Sequence, residues 1–436
     1  MRINLSLFLT IAILFGSSCN IIANTAERLI LFPEDSSGAT GGCKPLDIMD
    51  ILRKNKPVKS KPEKKISVIA LPYVGYEPVT GFQIGFGSKL SWHAGHQKTS
   101  KLSAASIDLS FTTKHQLIFQ ARNSIFLDRD RWLLQGDWRY YLFDLPTYGL
   151  GTGNEFVVPD VPALHVNPEN NEEFGGVYPM QFNWIKFHQT VSREIFNDLY
   201  AGMGFHLDIY DRIHDEVLNL DTSNLVITPH YAYCRIHGFD PVHYASSGLS
   251  ANFVYDTRDH IINPYKGFYV NVNYRYNFTF LGSAQNGSQL WTEFRTYIGL
   301  SKKIPRHLFA FWLFGSYFIS GEIPYLDLMS TGFDQANSSG RGYIQGRWRG
   351  ESFIYGEVEY RFPISLCTEI VGGVLFFNLT TASNIDRNIP LFAYLKPAGG
   401  VGLRIMINKL NRTNILIDFA VGEMSEGFYL QAQEIF

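Results

Sequence analysis

Apolar and polar residues alternate with a period of two along most of the chain after Ile66. From Phe268 to Phe280 every second residue is apolar or aromatic, and the positions between them include Asn271, Asn273 and Arg275. Side chains of a β-strand point alternately to opposite faces, so this pattern predicts a strand rather than a helix. The same alternation recurs at 132–140, 203–209, 293–300 and 357–364. The sequence therefore predicts an all-β fold.

The length and charge of these strands favour a membrane barrel. Strands of soluble sandwiches average about five or six residues, whereas a tilted strand that crosses a bilayer needs about ten. The polar face carries Arg, Glu and Asp near the strand centres, and a polar lumen accommodates them better than a sandwich does. We therefore predict a transmembrane antiparallel β-barrel. The roughly 370 residues from Ile66 onward provide about 16 strands, although 14 or 18 would also fit.

Composition excludes two other classes of protein. The chain has 40 Asp plus Glu against 38 Lys plus Arg, a formal net charge of −2, so no basic surface points to nucleic acid. After the N-terminus no run of about 20 apolar residues occurs, which excludes a bundle of membrane-spanning helices. Aromatic residues make up 15% of the chain and charged residues 18%. This combination is compatible with the barrel.

The N-terminus has the layout of a secretory signal peptide. The apolar run Leu5–Phe15 follows a basic residue and precedes small residues, and Ala23 and Thr25 suit the −3 and −1 positions of a cleavage site. We predict that residues 1–25 are removed. Lipoprotein processing at Cys19 is the alternative.

The next segment, residues 26–65, is rich in Gly, Ser, Lys and Pro. We predict a disordered periplasmic tether, with at most a short helix near 47–53, and the barrel from 66 to 436. Cys43, Cys234 and Cys367 are scattered and odd in number, so the sequence predicts isolated thiols, with neither a disulfide framework nor a metal site.

Five motifs are distributed over the predicted barrel. They are Pro72–Gly81 followed by Gly85 and Gly87, Tyr255–Asp259 followed by Asn263 and Gly267, Gly340–Tyr343, Tyr355–Pro363, and Gly400–Arg404. Together they resemble the bacterial surface antigen superfamily of BamA/TamA-like outer-membrane barrels. The most specific motif comprises Tyr255, Asp256, Arg258, Asp259, Pro264 and Gly267.

The resemblance gives a role to Arg341, Gly342 and Tyr343. In the family such an Arg-Gly-aromatic motif lies on a long external loop that folds back into the lumen. A guanidinium between two glycines can enter a narrow lumen, where it needs carboxylates to offset desolvation. Glu359 is the expected partner. The family's second acid is replaced here by Asn378, so we expect one carboxylate to hold the loop and Asn378→Asp to tighten it.

The chain ends in the aromatic and apolar segment Phe428–Phe436. Its alternation predicts a closing strand in which Phe436 shares a face with Phe428 and Leu430. Such a strand resembles the assembly signal of bacterial outer-membrane barrels. Family members carry periplasmic POTRA modules, and the segment before the barrel is expected to be too short for one.

No enzyme motif emerges. The chain contains neither a Gly-x-Ser-x-Gly elbow nor a His-Glu-x-x-His helix. His206 and Asp208 face one way on a strand and could polarise a serine, but the pattern places no nucleophile beside them. We interpret them as polar lumen residues and predict no catalytic, metal or cofactor site.

The resemblance implies an integral outer-membrane protein that assists outer-membrane protein or lipid assembly or translocation. Its expected partners are outer-membrane lipids including lipopolysaccharide, the barrel-assembly machinery during biogenesis, and client proteins or lipids, without nucleic acid. A passive or gated channel for small solutes is the alternative, with lumen charges setting ion preference. An outer-membrane lipolytic enzyme is the third possibility.

Overall fold

The computed structural model describes residues 46–52, 66–77, 80–94, 100–153, 176–221, 223–409, 411–431 and 434–436. The predicted signal peptide, Cys19, Cys43 and most of the predicted tether lie outside these ranges. Within them, no helix is long and apolar enough to span a membrane.

Sixteen strands of the described residues form one antiparallel sheet in which neighbours in sequence are neighbours in space. The last strand lies beside the first, so the sheet curves into a barrel, but no backbone pairing joins these two strands within the described ranges. The predicted all-β barrel of about 16 strands is confirmed. The strands are β1 Ile66–Glu77, β2 Gly81–His93, β3 Leu102–Thr112, β4 Leu117–Leu127, β5 Trp132–Asp144, β6 Met180–Phe196, β7 Leu199–Asp215, β8 Tyr244–Asp256, β9 Gly267–Asn277, β10 Gly287–Gly299, β11 Leu308–Gly321, β12 Phe353–Pro363, β13 Val371–Ala382, β14 Lys396–Asn408, β15 Thr413–Gly422 and β16 Ser425–Gln431.

Alternation along the strands separates an outer apolar face from an inner polar one. In β5, Trp138 and Tyr140 are 38% and 40% exposed, whereas Asp137 and Arg139 are buried on the inner face. Strand β9 is shorter than its alternation predicts. It ends at Asn277, because the chain turns into a 3-10 helix at Thr279–Leu281.

The two rims of the barrel differ. The long-loop rim carries the connections 145–179, 216–243 and 322–352, and the short-turn rim carries tight turns such as 197–198 and 409–412. In outer-membrane barrels the long loops are external and the short turns periplasmic.

A helix caps the long-loop rim. Helix α2, Pro229–His237, begins after Thr228, whose hydroxyl accepts from the Tyr231 amide, and ends at Gly238, which has a φ of 73°. Its buried face packs into an aromatic cluster that includes Tyr244 and Tyr325. The loop around this helix is therefore an ordered cap.

The cap contains a buried ion pair that predicts a pH dependence. Burial alone lowers the pKa of His230, but Cys234 and the carboxylate of Asp215 together raise it to about 10. The Nδ1 of His230 lies 2.7 Å from Asp215 Oδ2. This pKa lies above the value of about 6.5 for an unfolded chain, so the ion pair stabilises the folded cap fully below about pH 6.5. This stabilisation is lost as the pH rises through about 10.

We therefore expect the cap to loosen between pH 7 and pH 10. Hydrogen exchange of residues 225–244, corrected for the intrinsic pH dependence of exchange, measures this. In Asp215→Asn, the cap should already exchange faster than in wild type at pH 7, and its exchange should change less between pH 7 and pH 10. Cap exchange that is the same in both proteins at both pH values would contradict the assignment.

At the short-turn rim a second helix docks onto the barrel. Helix α1, Ile48–Leu52, follows Asp47, whose carboxylate accepts from the Asp50 amide at 2.8 Å and from the Lys409 amide at 3.0 Å. The ammonium of Lys409 lies 2.7 Å from Asp50. The part of the predicted tether that the structure describes is thus folded against the β14–β15 turn.

The cysteines differ from the prediction of isolated thiols. Cys367, in the β12–β13 turn, is disulfide-bonded, so the prediction is wrong there. Cys234 is a free, buried thiol. Scattered positions and an odd count had argued against a bridge, but neither feature reports which segments meet in the folded chain.

The C-terminus also departs from its predicted course. Strand β16 ends at Gln431, and the described residues 434–436, here called the tail, lie inside the lumen. Phe436 is 4% exposed, whereas Phe428 and Leu430 are 48% and 45% exposed on the outer face. The prediction that the three share a face is wrong, because Phe436 packs against Trp312 of the inner wall.

Candidate functional site

The connection 322–352, here called the latch loop, folds into the barrel. Its Asp334 carboxylate accepts hydrogen bonds from three backbone amides, those of Ala336, Ser338 and Ser339, at 2.8 to 3.0 Å. Gly342, with a φ of 98°, lies so close to β14 that a Cβ would be 2.8 Å from the Cβ of Ala398. This close approach brings the neighbouring Arg341 to the lumen wall.

Arg341 is surrounded by carboxylates and is 2% exposed. Its Nη2 donates to Glu357 and to Glu359, and its Nη1 lies 2.6 Å from Asp418 Oδ2. The guanidinium carbon also lies 3.6 Å from the ring centroid of Phe376. The structure thus places Arg341 against Glu359, the expected partner, together with two further acids.

The expectation that a single carboxylate meets Arg341 is wrong. Glu357 precedes Glu359 by two residues and therefore lies on the same inward face of β12. Asp418 comes from β15, where the family pattern gave no reason to look. One signal was available in the sequence: Asp418 is a lone charge in a strand that is otherwise apolar around it, between Ile417 and Phe419.

Two wall arginines extend this group into a network. Arg361 Nε donates to Glu359 at 2.7 Å, and Arg404 binds Asp418 and also donates to Glu434 of the tail at 2.9 Å. We call the following seven side chains the latch cluster: Arg341, Arg361, Arg404, Glu357, Glu359, Asp418 and Glu434. All are buried. Three cations against four carboxylates leave a formal charge of −1.

The latch loop also contacts the wall through Asn378 and Tyr343. Asn378 Nδ2 donates to the backbone oxygen of Arg341 at 3.0 Å, and the Tyr343 hydroxyl donates to Pro397 O at 2.6 Å. The amide of Gly342 donates to the hydroxyl of Tyr429, on the last strand, at 3.0 Å. The loop tip is thereby attached to β16. We call the junction between β16 and β1, where the described residues show no backbone pairing, the seam.

The mid-barrel motif builds the β8–β9 turn on the short-turn rim. Arg258 forms two hydrogen bonds to Asp256, at 2.9 and 2.8 Å, and Asp259 lies 2.8 Å from Arg412. Gly267 has a φ of 103°, and a Cβ there would be 2.4 Å from Thr257 O. The two remaining motif residues contribute differently: Pro264 is buried and Tyr255 is exposed. None of these residues contacts Arg341 in the described structure; the link to the latch cluster is a hydrogen bond from Asn263 to Glu434 at 3.4 Å.

A polar group on the opposite wall contains a serine that the sequence pattern did not place. His206 Nε2 lies 2.7 Å from the hydroxyl of Ser250. However, Asp208 is bound by His188 at 2.7 Å and Arg275 at 2.8 Å, and His206 Nδ1 has no partner in the described structure. A relay needs a group that orients the histidine through that nitrogen. Ser250 and His206 therefore form a hydrogen-bonded pair without a triad.

No cluster that could hold a metal ion is found among the described residues.

Comparisons with known proteins give one family and several similar structures. The Omp85 superfamily domain matches residues 200–430. No curated protein matches the sequence. Among solved structures, the chain is similar to BamA from Haemophilus ducreyi lacking POTRA domains 1-3, with 14% identity over 85% of this chain and 69% of that one and a TM-score of 0.49.

Two CdiB structures are also similar. CdiB from Acinetobacter baumannii shows 12% identity over 85% of this chain, with a TM-score of 0.47, and CdiB from Escherichia coli shows 10% identity over 86%, with a TM-score of 0.49. The chain covers 60% and 62% of their lengths, which is less than two thirds.

Proposed function

We propose a function for this chain, which belongs to the Omp85 superfamily. It is an outer-membrane barrel that assists the assembly or translocation of outer-membrane proteins or lipids. The observation that carries the proposal is the latch loop. A buried guanidinium holds it against three wall carboxylates. Its tip is bonded to β16, which lies beside β1 without backbone pairing between the described residues of the two strands. A barrel that handles a large substrate must open, and this arrangement ties the seam to a releasable loop.

The outer surface supports a position within a lipid bilayer. On β2, Phe82, Ile84 and Phe86 point outward and are each more than half exposed. Apolar side chains so placed are stable against acyl chains. We propose the outer membrane as the location, and its lipids including lipopolysaccharide, the barrel-assembly machinery and client proteins or lipids as partners. The proposed assembly signal at Phe436 would be read before the tail enters the lumen.

A gated channel for small solutes is the second candidate. A lumen cavity of about 220 Å³ lies between the latch loop and the wall. Its lining includes Lys186, Asp208 and Arg275, which would favour polar solutes. In the latched state the loop occupies the lumen, so conduction would require its release.

A crosslinking experiment in living cells tests the proposal. A photoreactive residue at Tyr429, beside the seam, should trap a client polypeptide or lipid, whereas one at Met203, exposed on the outer face of β7, should trap only bulk lipid. Planar-bilayer recording separates the channel, which should conduct steadily, from the latched barrel, which should conduct little. Steady conductance without any trapped client at Tyr429 would contradict the assembly role.

A further inference from the structure

We propose that the tail is a lumen pin that forms one cooperative lock with the latch loop, so that neither leaves the lumen without loosening the other. This holds whichever cargo the barrel handles. It assigns to residues 434–436 a function inside the folded barrel, in addition to any role that they have during assembly.

Each residue of the tail is buried by specific contacts. The ring of Phe436 lies 5.3 Å from that of Trp312 on β11, centroid to centroid. Ile435 is 2% exposed, and its backbone oxygen accepts from the hydroxyl of Ser338, on the latch loop, at 3.2 Å. The Glu434 carboxylate accepts a hydrogen bond from Arg404 Nε at 2.9 Å. The described tail thus lies inside the lumen, where apolar, backbone and ionic contacts anchor it.

The tail and the latch loop share their arginines. Arg361 binds Glu359 through Nε and donates through Nη2 to the backbone oxygen of Phe436 at 3.2 Å. Arg404 likewise lies between Asp418 and Glu434. Glu359 and Asp418 are also two of the three acids that bind Arg341. Each of these two arginines therefore binds both a wall acid that holds Arg341 and an atom of the tail.

This sharing makes the two elements energetically dependent. Withdrawing Arg341 leaves Glu359 and Asp418 to Arg361 and Arg404, which would then be drawn away from the tail. Withdrawing the tail leaves those arginines to compete with Arg341 for Glu359 and Asp418. Buried charges that lose one partner are costly, so either loss weakens the remaining contacts. Such coupling is reciprocal by thermodynamic necessity.

Hydrogen exchange of the purified full-length protein in detergent micelles tests the lock. Glu434→Gln, which does not alter the latch loop, should raise exchange of amides in 329–350 about tenfold, and Arg341→Ala should raise exchange of the C-terminal peptide by a similar factor. Glu426→Gln removes the same charge from an exposed site on β16 and should change neither. In the double variant, the fold-increase in amide exchange should be smaller than the product of the fold-increases in the two single variants, because both substitutions act on one network.

Phe436→Leu provides a second route that leaves every charge in place. It removes the ring contacts with Trp312 but keeps an apolar side chain, so it should assemble and raise latch-loop exchange less than Glu434→Gln does. Faster exchange of the latch loop in both tail variants supports the lock. Latch-loop exchange that equals wild type while the tail itself exchanges faster would overturn it, as would effects that simply multiply in the double variant.

Discussion

Arg341→Ala should release the latch loop and cost the folded barrel about 3 to 5 kcal/mol, the effect expected when a buried ion pair loses one partner. The reason is the number of acids that depend on this side chain. Glu357, Glu359 and Asp418 all lie within hydrogen-bond reach of the guanidinium and all are buried. Removing the cation takes the formal charge of the latch cluster from −1 to −2 and opens a cavity beside Phe376.

Protease cleavage within the latch loop on intact cells measures the release. Arg341→Lys keeps the charge but loses the planar guanidinium, whose several N–H groups reach more than one acid at once. Its cleavage rate should therefore lie between those of wild type and Arg341→Ala. Arg212→Ala, at an exposed site, is the matched control and should behave as wild type. Equal cleavage of wild type, Arg341→Ala and Glu359→Gln would show that this cluster does not hold the loop.

The local part of the fold could be read from the sequence, because alternation along a strand depends on neighbouring residues alone. The inward position of Asp137 and Glu359 follows from that period, and the structure places both on the inner face. The pattern fails where the chain leaves the sheet. Phe278 and Phe436 both continue an alternating series, yet one precedes a 3-10 turn and the other lies in the lumen.

The composition of the candidate site depended on contacts between distant segments. Arg341 and Glu359 could be paired because a motif drew attention to one and the strand period to the other. Asp418, Arg404 and Glu434 come from three later segments, and no local pattern indicates that they converge. The tail is the clearest case, because its position is determined by partners on β11, β12 and β14 rather than by its own sequence.

Asn378→Asp should loosen the latch loop, which reverses the expectation drawn from the family motif. On sequence grounds a second acid was expected to strengthen the hold on Arg341. In the structure that role is already filled by Glu357 and Asp418. Asn378 Nδ2 instead donates a hydrogen bond to the backbone oxygen of Arg341 at 3.0 Å. The Oδ1 of Asn378 has no partner in the described structure.

An ionised carboxylate at this position would act against the loop in two ways. It could not donate to the backbone oxygen of Arg341, so two acceptors would face each other in a buried site, at a cost of about 1 to 3 kcal/mol. It would also lie directly across the ladder from Glu357, and like charges in that position repel. Asn378→Ala removes the donor without adding charge, so its cleavage rate should fall between those of wild type and Asn378→Asp. Slower cleavage of Asn378→Asp than of wild type would instead show that the cluster accepts a further acid, and that its charge of −1 does not limit the hold on Arg341.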